Sequence, residues 1–234
     1  ILAYLPLFEL IRQLIDRTAL YFVRHTALPR MTDETPLSSR TLCVVTTLLT
    51  RAGDAEEYAK KLEEYRLAAG NVGGHMVFGL LTDLKESERE TEPADRVIFD
   101  AACREIAALN EKWGGGFVLL WRDRTYTPSD GRYMGRERKR GAIEDLVRLI
   151  KGKPSGLRVA EGNETMAFAY VITLDADTEP SIGALRKLVA AMEHPLNRPV
   201  IDRSRRVVTA GHALIHPRIA AGLETSSKNP FASV

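Results

Sequence analysis

Residues 170–180, YVITLDADTEP, decide the fold of this chain. Four apolar or β-branched residues, Val171 to Leu174, run into Asp175 and Asp177, which a single alanine separates; Thr178, Glu179 and Pro180 follow. Such a run reads as a buried strand that ends in two carboxylates. Three explanations compete for the pair: a metal holding a phosphate-bearing substrate, an aspartate nucleophile, or a polar turn that only starts a helix, with Asp177 or Thr178 as its cap and Pro180 in its first turn.

Outward from this stretch, strand-like and helix-like segments alternate. Strands are expected over residues 41–49, 75–83, 116–123, 166–175 and, as an edge, 205–217. Helices are expected over 54–70, about 93–113, 136–152 and 180–195. The helix at 54–70 has Asp54 as its cap and Gly70 as its stop, with Tyr58, Leu62 and Tyr65 on one face. The helix from Pro93 shows an apolar face of Val97, Ala101, Ala102, Cys103, Ile106 and Leu109, and the one from 136 shows Ile143, Leu146, Val147 and Ile150. Near-continuous apolar strands alternating with helices imply an α/β fold, a mostly parallel sheet flanked by helices. In such sheets ligands sit beyond the carboxyl ends of the strands. Asp175 and Asp177 fall there, and so does Asp83, which closes FGLLTD. A lone aspartate after a strand also serves as a turn former.

Two further segments bear on the site. RTYTPSDGRYMG (124–135) is a long polar loop. GRERKRGAI sets Arg136, Arg138, Lys139 and Arg140 at a helix start, where positive charge opposes the helix dipole. A negatively charged ligand would relieve that conflict, and Gly141 would let backbone approach a phosphate; a solvated basic turn is the plainer alternative. WGGGF (113–117) reads as a helix-to-strand turn. His75, His194, His212 and His216 do not cluster as ligands, and no nucleophile elbow, P-loop or GxGxxG occurs.

Composition narrows the classes. Lys plus Arg is 33 against 31 Asp plus Glu, a net charge of +2, which gives no reason to expect a nucleic-acid partner. Cys43 and Cys103 have neither CxxC nor zinc spacing and read as two buried, reduced thiols. At the N-terminus, Leu10, Ile11, Leu14, Ile15 and Leu20 recur at helical spacing, interrupted by Glu9, Arg12, Asp16 and Arg17. The residues favour an amphipathic helix packed on the domain over one lying along a membrane surface. Residues 26–40 have a linker's composition, so the division is 1–40, helix and linker, and 41–234, the α/β domain. The chain opens without Met and its tail, ETSSKNPFASV, stops without a structural ending, so it reads as a piece of a longer polypeptide.

In this order, LPRM (28–31), LLTDL (80–84), MGRERKRGAIEDL (134–146), YVITLDADT (170–178) and AMEHPLNRP (191–199) resemble the glycosyltransferase domain of cyclic β-1,2-glucan synthases, glycosyltransferase family 84. The resemblance covers nearly the whole chain. It implies a GT-A-like nucleotide-sugar transferase fold, here C-terminally truncated, and UDP-glucose as donor. It further implies a glucan acceptor, Mg²⁺ or Mn²⁺ as cofactor, and a very large bacterial inner-membrane synthase whose transferase faces the cytoplasm. Asp175 and Asp177 match the metal-binding Asp-x-Asp, and Asp83 matches a strand-end aspartate that contacts the uracil in related processive transferases. Lys139 stands where those enzymes have a basic residue near the nucleotide, with Arg140 beside it. Thr46 and Thr47 lie at the end of the first strand, where such folds line the nucleotide pocket; a proline is usual at the position of Thr46. The resemblance also shifts the N-terminal helix toward an interfacial one. An inverting transfer needs a general base, which the resemblance puts downstream of residue 234; Asp202 lies in a polar linker. The implied protein is thus a donor-binding fragment with an incomplete catalytic site. DADT after an apolar strand also partly resembles the motif of haloacid-dehalogenase phosphatases, with Asp175 as nucleophile, although that motif normally opens its fold. A non-catalytic nucleotide-sugar-binding or scaffold module is the third possibility.

Overall fold

A computed structural model describes residues 4–22 and 27–217. A long parallel run, β1 (Thr41–Leu49), β2 (Met76–Leu84) and β3 (Phe117–Arg122), is joined by α2 (Gly53–Ala69) and α3 (Pro93–Trp113). β7 (Tyr170–Asp175) pairs parallel with β1, and β6 (Leu157–Glu161) pairs antiparallel with β3. The five-stranded sheet has the order β6-β3-β2-β1-β7, so four of its strands are parallel and one edge is antiparallel. This mixed α/β architecture is compatible with a Rossmann- or GT-A-like fold.

The two faces have separate cores, because side chains alternate along a strand. Cys43, Val45, Leu49, Phe78, Leu80, Phe117 and Leu119 pack under α2, α3 and α5 (Ala184–Glu193). Leu42, Val44, Val77, Leu81, Val118 and Leu120 pack under α4 (Arg138–Ile150) through Ala142 and Leu146. Gly79 lies between Val44 and Val118, where a Cβ would come within 3.0–3.1 Å of both side chains.

β1 and α3 have the bounds their sequences predict. In α3 Ala101, Ala102, Ile106 and Leu109 are buried as expected; Ile98 is buried in place of Val97, which faces solvent, and Cys103 is half-buried. Asp54 does not cap α2. It turns back to accept from the Thr50 and Arg51 N–H groups, the Thr50 hydroxyl and Arg51 Nε, tying the helix start to the end of β1.

β7 is not enclosed: it is the sheet edge, and Val171, Thr173 and Asp175 on one of its faces are exposed. Residues 207–210 do not join the sheet; β9 (Val207–Ala210) pairs with β8 (Val200–Asp202) in a separate hairpin, and Asp202 accepts from Ser204 and Arg205 at its turn. The polar loop at 124–135 contains a small hairpin, β4 (Thr125–Thr127) and β5 (Arg132–Met134). α1 (Tyr4–Phe22) is not packed on the domain, since every side chain described on it is exposed. Among the described residues no helix is long and apolar enough to cross a membrane. The segment before β1 packs firmly: Leu37 is buried, and Ser38 and Ser39 donate to Glu193. The tail ETSSKNPFASV lies outside the described residues.

Candidate functional site

The carboxyl ends of β1, β2 and β7 form one rim, because all three run parallel. In the register, Thr46 stands opposite Leu81 on one side and Asp175 on the other, and Leu48 stands opposite Asp83. Asp83 and Asp175 are therefore two strand spacings and two residues apart, about 12 Å across the sheet. A cleft of about 200 Å³ opens over this rim. Its walls include Thr46, Thr47, Asp83, Lys139 and Arg138, with an apolar side made by Leu81, Leu84, Met134 and Ala142. A second hollow, about 490 Å³, lies at the other end of the strands near His75; its Arg186 is engaged by Asp33 at 3.2 Å and by the Thr35 carbonyl at 2.7 Å.

Each predicted residue has a definite position. Lys139, in the first turn of α4, donates to Asp175 Oδ1, which links the cleft to the Asp-x-Asp turn. Asp175 and Asp177 are both exposed. Neither caps a helix: α5 begins only at Ala184, behind Gly183 at φ 74°, and Thr178 N–H donates to the Asp175 carbonyl in a tight turn. α2 grips that turn from the opposite side, with Lys61 donating to the Ala176 carbonyl and the Tyr65 hydroxyl to the Thr178 carbonyl. Thr46 is half-buried, its hydroxyl 3.4 Å from the Leu174 carbonyl. Thr47 also lines the cleft, although its hydroxyl is buried and has no partner among the described residues. Arg140 is not brought to the cleft, since its guanidinium binds Glu137 at 2.9 Å.

The basic helix start is neutralised by the chain's own carboxylates. Arg136 pairs with Glu144 at 3.1 Å, Arg138 with Glu86, Lys139 with Asp175, and Arg140 with Glu137. Gly141 serves packing: it is buried, and a Cβ there would stand 1.9 Å from the Arg136 carbonyl oxygen and 2.8 Å from Arg122 Nη2.

Arg122 is the residue the sequence did not reveal. It ends β3, is 3 % exposed, and sits beneath the cleft. Its Nη1 donates to both oxygens of Asp83, at 3.2 and 3.3 Å, and to the Arg138 carbonyl at 3.0 Å; Nη2 donates to the Arg136 carbonyl, and Nε lies 3.2 Å from Asp145 Oδ2. Burial pushes the Asp83 carboxyl above its ordinary range, and the Arg122 guanidinium pulls it back toward the charged form. A cation at the end of a buried strand, seventeen residues before Lys139, gives a sequence reader no periodic signal.

The chain resembles a glucan synthase. Over 201 residues, 84 % of its length, it is 36 % identical to the cyclic beta-(1,2)-glucan synthase NdvB of Rhizobium meliloti (strain 1021). The chain spans 7 % of that relative's length. No protein-family profile matches it.

Carboxylate oxygens are the donors that hard cations prefer. Asp175 and Asp177 offer carboxylate oxygens on an open rim, and Asp175 already draws an ammonium group to itself. Among the described residues no three His, Cys, Asp or Glu gather into a self-sufficient metal cage. Two carboxylates with the remaining positions left to ligand oxygens is the usual arrangement for Mg²⁺ or Mn²⁺ shared with a phosphate-bearing substrate.

Proposed function

We propose that this chain carries the donor-binding part of an inverting, UDP-glucose-dependent glucosyltransferase of the GT-A type. It would work within a larger, membrane-embedded bacterial synthase of cyclic β-1,2-glucan, on the cytoplasmic side. The observation that carries the reading is the link between one cleft and the acidic turn. Asp83, Thr46 and Lys139 line the cleft and Lys139 reaches Asp175, in a chain 36 % identical to a glucan synthase over 84 % of its length.

The chemistry follows the cleft from end to end. Leu81, Leu84, Met134 and Ala142 offer an apolar wall to the flat face of a nucleobase. Asp83, whose two oxygens accept from Arg122, offers a carboxyl to a ring N–H at that end. Lys139 brings positive charge to the diphosphate end, and Asp175 with Asp177 would hold Mg²⁺ or Mn²⁺ there. When bound, that cation offsets the negative charge that builds on the departing nucleotide. Asp202 does not serve as the base for the acceptor hydroxyl in this reading, since it is occupied in its own turn.

Calorimetry with UDP and Mn²⁺ tests this. The folded chain is expected to bind UDP in a metal-dependent way, and Asp175→Ala to weaken that binding by about tenfold or more. A folded chain that binds no UDP at any Mn²⁺ concentration would overturn the donor-site reading and leave a scaffold module.

A further inference from the structure

We propose that Arg122 is a positioning residue of the donor cleft: its guanidinium fastens Asp83 and the 136–138 backbone into one rigid piece, fixing the nucleoside end of the cleft relative to Lys139. The inference rests on the donor-site reading above.

Three observations converge on it. First, all three guanidinium nitrogens are engaged, and their partners come from three places: Asp83 on β2, Asp145 within α4, and the carbonyls of Arg136 and Arg138 at the start of α4. A lysine, a point charge with one nitrogen, cannot span that set. Second, the clamped segment is strained. Glu137 and Arg138 have φ of 52° and 46°, in the left-handed region that non-glycine residues avoid, and Lys139 follows at once. Third, the surroundings are cut to fit. Gly135 has room for no Cβ because Asp83 Oδ1 would lie 2.3 Å from it, and Gly141 has none because of the Arg136 carbonyl and Arg122 itself. A buried ion pair adds little net stability over apolar packing, so stability alone gives a weak reason for this construction. Holding a strained turn at the edge of a binding cleft gives a direct one.

The test uses Arg122→Lys, Arg122→Met and Gly141→Ala in the full chain, with UDP and Mn²⁺ as the probe. Affinity is measured between about pH 6 and pH 8, and a melting curve is recorded for each variant. The charged groups around Asp83 are Arg122 of β3, Arg138 and Asp145 of α4, and Glu86 and Lys139 on the cleft wall. Wild type sets the reference profile. Arg122→Met should bind at least about tenfold more weakly and lose more affinity as pH falls than wild type does, because the countercharge beside Asp83 is gone. Arg122→Lys keeps the charge, so its profile should follow wild type while its affinity drops. Gly141→Ala removes no charge but forces the 136–138 segment to move; it should weaken UDP with the wild-type profile, and it remains informative if Arg122→Met does not fold. Folded variants with wild-type affinity and profile would overturn the role of Arg122 alone. Failure of wild type to bind UDP would overturn the donor site, and this role with it.

Discussion

Gly135→Ala should damage the cleft through a single methyl group. The backbone at Gly135 is not left-handed, so alanine meets no conformational penalty there, and only space decides the outcome. The new Cβ would lie 2.3 Å from Asp83 Oδ1, 2.7 Å from its Cγ and 2.9 Å from Oδ2. Relief requires the carboxylate to retreat by about 1 Å. It cannot swing away freely, because Arg122 holds both of its oxygens and is itself fixed by Asp145 and two carbonyls. The cost is that of overpacking a tight site, about 1–3 kcal/mol. For a chain of this size that lowers the Tm by about 2–12 °C. Thermal unfolding of a double-mutant cycle isolates the cause. Asp83→Ala alone should cost about 3 kcal/mol, the low end for a broken buried pair, since Asp145 still faces Arg122. In the Asp83→Ala background the Gly135→Ala change should then cost almost nothing, a coupling of about 1–3 kcal/mol. An equal Tm drop in both backgrounds, or none in either, would refute the claim that Gly135 exists to make room for Asp83.

Two other perturbations probe the frame around the site. Burial pushes the Asp54 carboxyl up, but donors from Arg51 and Thr50 outweigh it and hold it at about 2. A carboxyl depressed in the folded state stabilises fully above its ordinary value of about 4 and loses that contribution as pH falls toward its folded value. Asp54→Ala should therefore cost about 1–2 kcal/mol at neutral pH and almost nothing near the folded value, measured by urea unfolding across pH. Tyr65→Phe removes the hydroxyl that holds the Thr178 carbonyl; it should cost about 1 kcal/mol and weaken Mn²⁺-dependent UDP binding several-fold. Lost stability with unchanged affinity would confine Tyr65 to packing.

Much of this architecture was legible from local pattern. β1 and α3 have the bounds their residues predict because apolar periodicity, Pro93 near the helix start and Gly114 at its end all agree. β6 has no clear strand signal in the sequence, because LRVAE is short and carries two charges, so its pairing depends on β3 being there to receive it. β9 looked like a sheet strand because a hairpin strand and an edge strand have the same composition. Ile98 is buried where helical spacing points to Val97, because spacing fixes a stripe only to within one residue and the neighbouring layer chooses between them.

The sequence by itself determined the α/β class, the parallel core strands and the arrival of acidic residues at their carboxyl ends. Those follow from short-range pattern, and the chain direction of a parallel sheet then carries Asp83 and Asp175 to one rim. Tertiary structure alone decided which charges meet. It sent Lys139 to Asp175 and Arg140 to Glu137, put β7 at the edge, and buried Arg122 where Asp83, Asp145 and two carbonyls converge. The physical reason is range. Periodicity and capping act over a few residues along the chain, whereas an ion pair or a clash with a missing Cβ depends on groups brought together from strands and helices tens of residues apart.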